Sequence, residues 1–159
     1  MPQLLNGTER LTRHRGATLF YVYQQGLRDA LIYIGSTYGN PKIIVIENGY
    51  PEKRDNTILV EIAIQDDGRI QHTIGHLYAI SEAIKARTYI KGYHMWALID
   101  CMEVGSFYNV QFGLAYVDYL NNLERITKKS LGWLYSFLNE PAPKPTPAPA
   151  PKKRKAVAV

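Results

Sequence analysis

The chain has one cysteine, Cys101, among its 159 residues. It therefore has no intrachain disulfide framework, and its composition fits a reducing, intracellular compartment. Long apolar runs are also missing. The longest, Met95–Ile99, falls far short of the ~20 residues that cross a bilayer, so no membrane role is expected. The opening MPQLLNGTERLTRHRG lacks the apolar stretch of a secretory signal. There is no glycine-rich phosphate loop, no Cys-x-x-Cys, no Gly-x-Ser-x-Gly and no internal repeat. Acids are absent from the last nineteen residues, PAPKPTPAPAPKKRKAVAV, which hold Lys144, Lys152, Lys153, Arg154 and Lys155. The rest of the chain carries 14 basic and 14 acidic residues, so the net +5 belongs to the tail.

Three regions follow from this pattern. Residues 1–16 read as a basic flexible arm, and residues 17–140 as a single α+β domain. Residues 141–159 read as a disordered Pro/Ala/Lys-rich tail, extended because alternating proline forbids helix and sheet ladder. At ~3.1 Å per residue its spacer reaches roughly 30–35 Å. Within the domain, β-branched and aromatic runs at 18–24, 31–37, 41–48, 57–65 and 69–74 predict an antiparallel meander of about five strands. Ile58, Val60, Ile62 and Ile64 alternate like one face of a strand, and Asp67-Gly68 suits a hairpin turn. From Leu77 the period lengthens to that of a helix ending near Lys91-Gly92. Residues 93–104 suit a buried strand or a short helix, the bracketing Gly92 and Gly105 favouring the strand; 107–126 suggest a helix and 131–138 a last short helix. The expected fold is α+β, a meander followed by roughly two or three packed helices.

The basic arms set the functional expectations. Arg10, Arg13 and Arg15 at one end, with Lys144 and the KKRK cluster at the other, suit phosphate contacts that read no sequence. Pro151–Lys155 resembles the monopartite nuclear localisation signal of polyomavirus large T antigens. That resemblance implies nuclear import in a eukaryotic host. The twelve tyrosines suit base stacking or protein interfaces.

Tyr21-Val22-Tyr23 followed by Tyr33-Ile34-Gly35-Ser36-Thr37 resembles the opening hairpin of the GIY-YIG nucleases. The resemblance implies Mg²⁺- or Mn²⁺-dependent phosphodiester cleavage, with Tyr23 and Tyr33 in the site beside Gly35. His72 and His76, four apart, are candidate metal ligands. Cys101 suits a buried structural thiol.

The leading expectation is a non-enzymatic binding or assembly protein, viral or phage in outline, with no cofactor. Its neutral body self-associates or binds a protein, and its arms contact nucleic acid or another polyanion. One alternative is the small metal-dependent nuclease. The other is a viral host-interaction or inhibitor module whose tail serves localisation.

Overall fold

The computed structural model describes the backbone of Thr12–Arg13 and residues 21–140 in full. A short antiparallel pair opens it, β1 (Thr12–Arg13) against β2 (Tyr21–Val22). Then come α1 (Gln24–Thr37), β3 (Ile43–Val45), β4 (Glu52–Lys53), α2 (Val60–Ala63), α3 (Asp67–Lys85) and β5 (Ile90–Tyr93). The chain closes with β6 (Val110–Gln111), β7 (Ala115–Asp118), β8 (Glu124–Thr127) and α4 (Lys129–Asn139).

The centre is a β-α-β unit. β3 and β5 pair in parallel, and α3 is part of the crossover between them. Leu27, Leu31 and Gly35 recur every fourth residue and give α1 one inward face. Leu31 meets Ile80 and Ala83 of α3, over Ile43, Val45, Ile90 and Tyr93 of the two strands. Burying Leu31 stabilises by about 2 kcal/mol. The buried stripe of α3 changes character along its length. Arg69, His72, Thr73 and His76 come first, with Ile70 among them, and Ala79, Ile80 and Ala83 follow. A helix returning from a parallel strand starts beside that strand's carboxyl end. The polar half of α3 thus lies beside the end of β3, and its apolar half lies farther down.

The expected antiparallel meander is not what forms. The described residues adopt alternating helix and strand with a parallel central pair, an α/β arrangement. Residues 31–37, read as the second strand of a hairpin, lie inside α1, because the four-residue recurrence outweighs their β-branched content. Residues 57–65, read as the clearest strand, turn through α2 instead. Ile58 and Ile62 stay 42% and 59% exposed, so their alternation faces no sheet. Asp67-Gly68 opens α3 rather than a turn, with Asp67 suited to the positive end of the helix dipole.

Residues 107–126, read as a helix, supply β6, β7 and most of β8. Tyr116 and Val117 are both buried, and Ala115–Asp118 register with Glu124–Thr127 across a turn where Asn122 and Leu123 take positive φ. Two expectations match their elements. α4 contains the short helix expected at 131–138, and β3 lies within the strand expected at 41–48.

Candidate active site

Beyond β3 the chain runs Ile46-Glu47-Asn48-Gly49 and lies against the segment that follows β5. Two backbone bonds hold the two together: His94 N–H to Val45 O and Trp96 N–H to Asn48 O, both 2.9 Å. Gly49 makes the approach possible, since a Cβ there would lie 2.4 Å from the Trp96 carbonyl oxygen.

Residues 47–49 form one side of a cleft of about 350 Å³. Its aromatic walls are Tyr21, Trp96 and Phe112, and His72 and His76 face it from α3. The carboxylates are Glu47 and Glu103, with no Lys or Arg among the described lining residues. Glu47 is exposed and makes no side-chain hydrogen bond or ion pair with any described residue. Glu103 is half-buried and sits at the start of a tight turn. Its carbonyl accepts Phe107 N–H at 2.7 Å, and its Oε1 accepts Val104 N–H at 2.9 Å.

Two buried ion networks support the cleft. Arg69, 1% exposed, places all five guanidinium hydrogens. Nε bonds Asp66 Oδ2 at 2.8 Å, Nη1 bonds the Tyr50 and Phe112 carbonyls, and Nη2 bonds Glu52 Oε2 and the Gln111 carbonyl. It thereby joins α3 to the segment after Gly49 and to the Phe112 wall. Burial raises the Glu52 carboxyl above its usual range, and Arg69 opposes that shift.

In the second network Lys128 Nζ bonds Asp100 Oδ1 at 2.9 Å, and Gly113 N–H bonds the same oxygen. Gln111 bonds Asp100 Oδ2. Burial and the Arg69 charge lower the Lys128 ammonium, and Asp100 opposes them. Burial likewise lowers the His76 imidazole.

A cleft with two carboxylates and no described cation repels phosphate. It offers aromatic faces, acceptors and donors to a neutral, hydroxyl-rich ligand. Paired Asp/Glu residues are also the usual equipment of glycoside hydrolysis.

The residues singled out in the sequence distribute unevenly. Tyr23 precedes α1 as its N-cap, and Tyr33 stands within that helix, 60% exposed with its ring edge-on to Tyr38. No hairpin brings them together. Gly35 packs against Thr88. His72 and His76 stack at 3.9 Å and line the cleft. No group of three or more metal-ligating side chains occurs among the described residues.

Arg10, Arg15, Lys144, Lys152, Lys153, Arg154 and Lys155 lie outside the described residues, and only the backbone of Arg13 is within them. Glu47, Asn48, Trp96 and Glu103 escape the sequence reading. Asn48-Gly49 reads there as the end of a strand. The missed signal is an acid immediately past a strand whose partner is parallel.

Residues 7–142 match the model of glycosyl hydrolase family 1. "Beta-glucosidase 10" of Oryza sativa subsp. japonica is 40% identical over 121 residues, covering 76% of this chain and 23% of that protein. A rice beta-glucosidase, solved as a mutant in covalent complex with Glc, superposes with TM-score 0.74 at 29% identity. The match covers 77% of this chain and 26% of that one. A beta-glucosidase from the fungus Humicola insolens, solved with glucose, gives 0.72 at 33%, over 77% and 26%. The chain thus spans about a quarter of the relatives it matches, whose fold is the (β/α)8 barrel.

These likenesses overturn the non-enzymatic binding or assembly reading, the GIY-YIG resemblance, the localisation signal and the viral or phage setting. Nucleic acid, a polyanion and a protein partner fall with them, because the relatives are named for glycosides. From the alternating elements, the carboxylate cleft and the match over most of its length, the chain belongs to glycosyl hydrolase family 1.

Proposed function

We propose that this chain carries the nucleophile-bearing, sugar-binding part of a retaining β-glucosidase site. One observation supports this above the others. Glu47 lies just past the carboxyl end of a parallel strand, faces the cleft, and has no cation on its carboxylate among the described residues. Carboxyl ends of barrel strands are where such enzymes place their chemistry.

In a retaining enzyme the carboxylate attacks the anomeric carbon. The bond to the leaving oxygen breaks as a second carboxyl group protonates it, and water then cleaves the glycosyl ester. Glu47 takes the attacking role. The rice structure's covalent complex with Glc is in keeping with such an ester. Glu103, oriented by Val104 N–H, presents its remaining lone pairs to sugar hydroxyls. Trp96 offers its face to the sugar ring. The proton donor is assigned outside the described cleft.

The reading takes residues 17–140 as one domain and extends to an intracellular setting, in keeping with an Arabidopsis thaliana relative named peroxisomal.

The test is covalent labelling of the intact protein with a 2-deoxy-2-fluoro-glucoside, followed by peptide mass spectrometry. The label is expected on Glu47. Glu47→Gln should slow labelling by at least on the order of a thousandfold. A label on another residue, or none, overturns the assignment.

A further inference from the structure

We infer that Tyr93, Asn48 and His72 form a positioning network that sets the attack geometry of Glu47. The inference rests on the nucleophile assignment above. Asn48 directly follows Glu47, and its side-chain oxygen is bonded twice. Tyr93 Oη donates to it at 2.9 Å, and His72 Nε2 lies 3.2 Å from it. With the oxygen so assigned, His72 Nε2 carries a proton and donates it to Asn48. The Asn48 carbonyl accepts Trp96 N–H as well. Side chain and main chain of residue 48 are therefore both fixed, by α3 on one side and by β5 with its extension on the other.

The donors are themselves held. Tyr93 ends β5 and packs into the core with Leu31 and Ile80. Burial pushes its phenol up to about 12, so the hydroxyl keeps its proton and donates at any physiological pH. His72 stacks on His76, whose Nδ1–H donates to the His72 carbonyl at 2.8 Å. Tyr50 lies tilted against the His72 ring at 5.3 Å. Neither the Asn48 amide nor the protonated Tyr93 phenol carries a formal charge, so they fix the attacking carboxylate without neutralising it. A backbone displaced by a fraction of an ångström moves the carboxylate off the line of attack.

The test compares Tyr93→Phe, Asn48→Ala and His72→Gln with the unmutated protein in the same fluoroglucoside labelling. It follows the saturating labelling rate and the concentration for half-maximal rate separately. Tyr93→Phe and Asn48→Ala should lower the saturating rate by on the order of tenfold or more, with half-saturation moving less than about threefold. His72→Gln keeps a donor and should recover most of the rate.

Nitrogen NMR of the unmutated protein should show the Nε2–H form of His72, lost or shifted in Asn48→Ala. Tyr93→Phe removes one hydroxyl and serves where Asn48→Ala does not fold. Wild-type labelling with unchanged variant rates overturns the network alone. Absence of any label on the unmutated protein overturns the nucleophile assignment, and the network with it.

Discussion

At the scale of the residue, the cleft depends on a few side chains and on one missing side chain. Gly49 is that absence. Gly49→Ala pushes a methyl group into the Trp96 carbonyl, and neither backbone can retreat without breaking Trp96 N–H to Asn48 O. Urea denaturation should show a loss of about 1–3 kcal/mol.

Arg69 is the opposite case, a charge with every donor in use. Arg69→Met leaves Asp66 buried without its cation, holding only the Ser130 amide and hydroxyl. The same measurement should show a loss of about 3–5 kcal/mol.

His76 makes stability depend on pH. Its folded value lies below the ordinary 6.5, so between the two the unfolded chain holds the proton and the native one does not. Stability is therefore full above about 6.5 and falls as the pH drops through that window. Glu52 acts in the opposite sense. Its raised carboxyl favours the folded state most below its ordinary value of 4.5, and that contribution is lost as the pH rises. Denaturant midpoints between pH 7.5 and 5.5 should fall, and His76→Gln should flatten the slope.

At the scale of the element, α1 and α3 pack on each other over the parallel pair through Leu31, Ile80 and Ala83. Leu31→Ala at the centre of that joint should cost about 2–4 kcal/mol by urea denaturation. Its effect should not add simply to that of Ile80→Ala, because the two side chains pack in one core cluster.

This is also where the sequence is legible and where it misleads. α4 is readable because nothing competes with its pattern around Trp133, Leu134 and Phe137. β3 is readable because Pro41 and Asn48-Gly49 bracket a short apolar run. α1 is not, because Ile32, Ile34 and Thr37 carry the chemistry of a strand while Leu27 and Leu31 carry the spacing of a helix. The stripe on α3 is hidden for a different reason. Half of it is Arg, His and Thr, and buried polar residues leave no hydrophobic period to find. Glu47 is hidden for the same reason at closer range, since its meaning comes from a strand partner 47 positions away along Ile43↔Ile90.

At the scale of the whole molecule, charge and site lie apart. The surplus positive charge falls in residues 141–159, while the cleft presents two carboxylates. Net charge thus describes the chain and says nothing of the cleft's ligand. If the cleft takes a sugar, glucose should raise thermal stability, and mannitol at equal concentration should not. At a hundredfold excess over Kd the gain is about 2.7 kcal/mol. Glu47→Gln should retain this stabilisation, whereas Trp96→Ala should lose it, and calorimetry with each variant separates binding from chemistry.

One consequence concerns ageing. Asn48-Gly49 is the dipeptide in which a side-chain amide is most readily lost, because the unhindered glycine nitrogen can close on the amide carbon. Here Tyr93 and His72 hold that amide by its oxygen, while Trp96 holds the peptide bond beside it. The fold therefore protects a bond that the unfolded chain would lose, and loss of that amide would place a second carboxylate next to Glu47. Intact-mass measurements during storage should show the amide retained in native protein and lost in denaturant, so the service life of the cleft is set by how often this clamp opens.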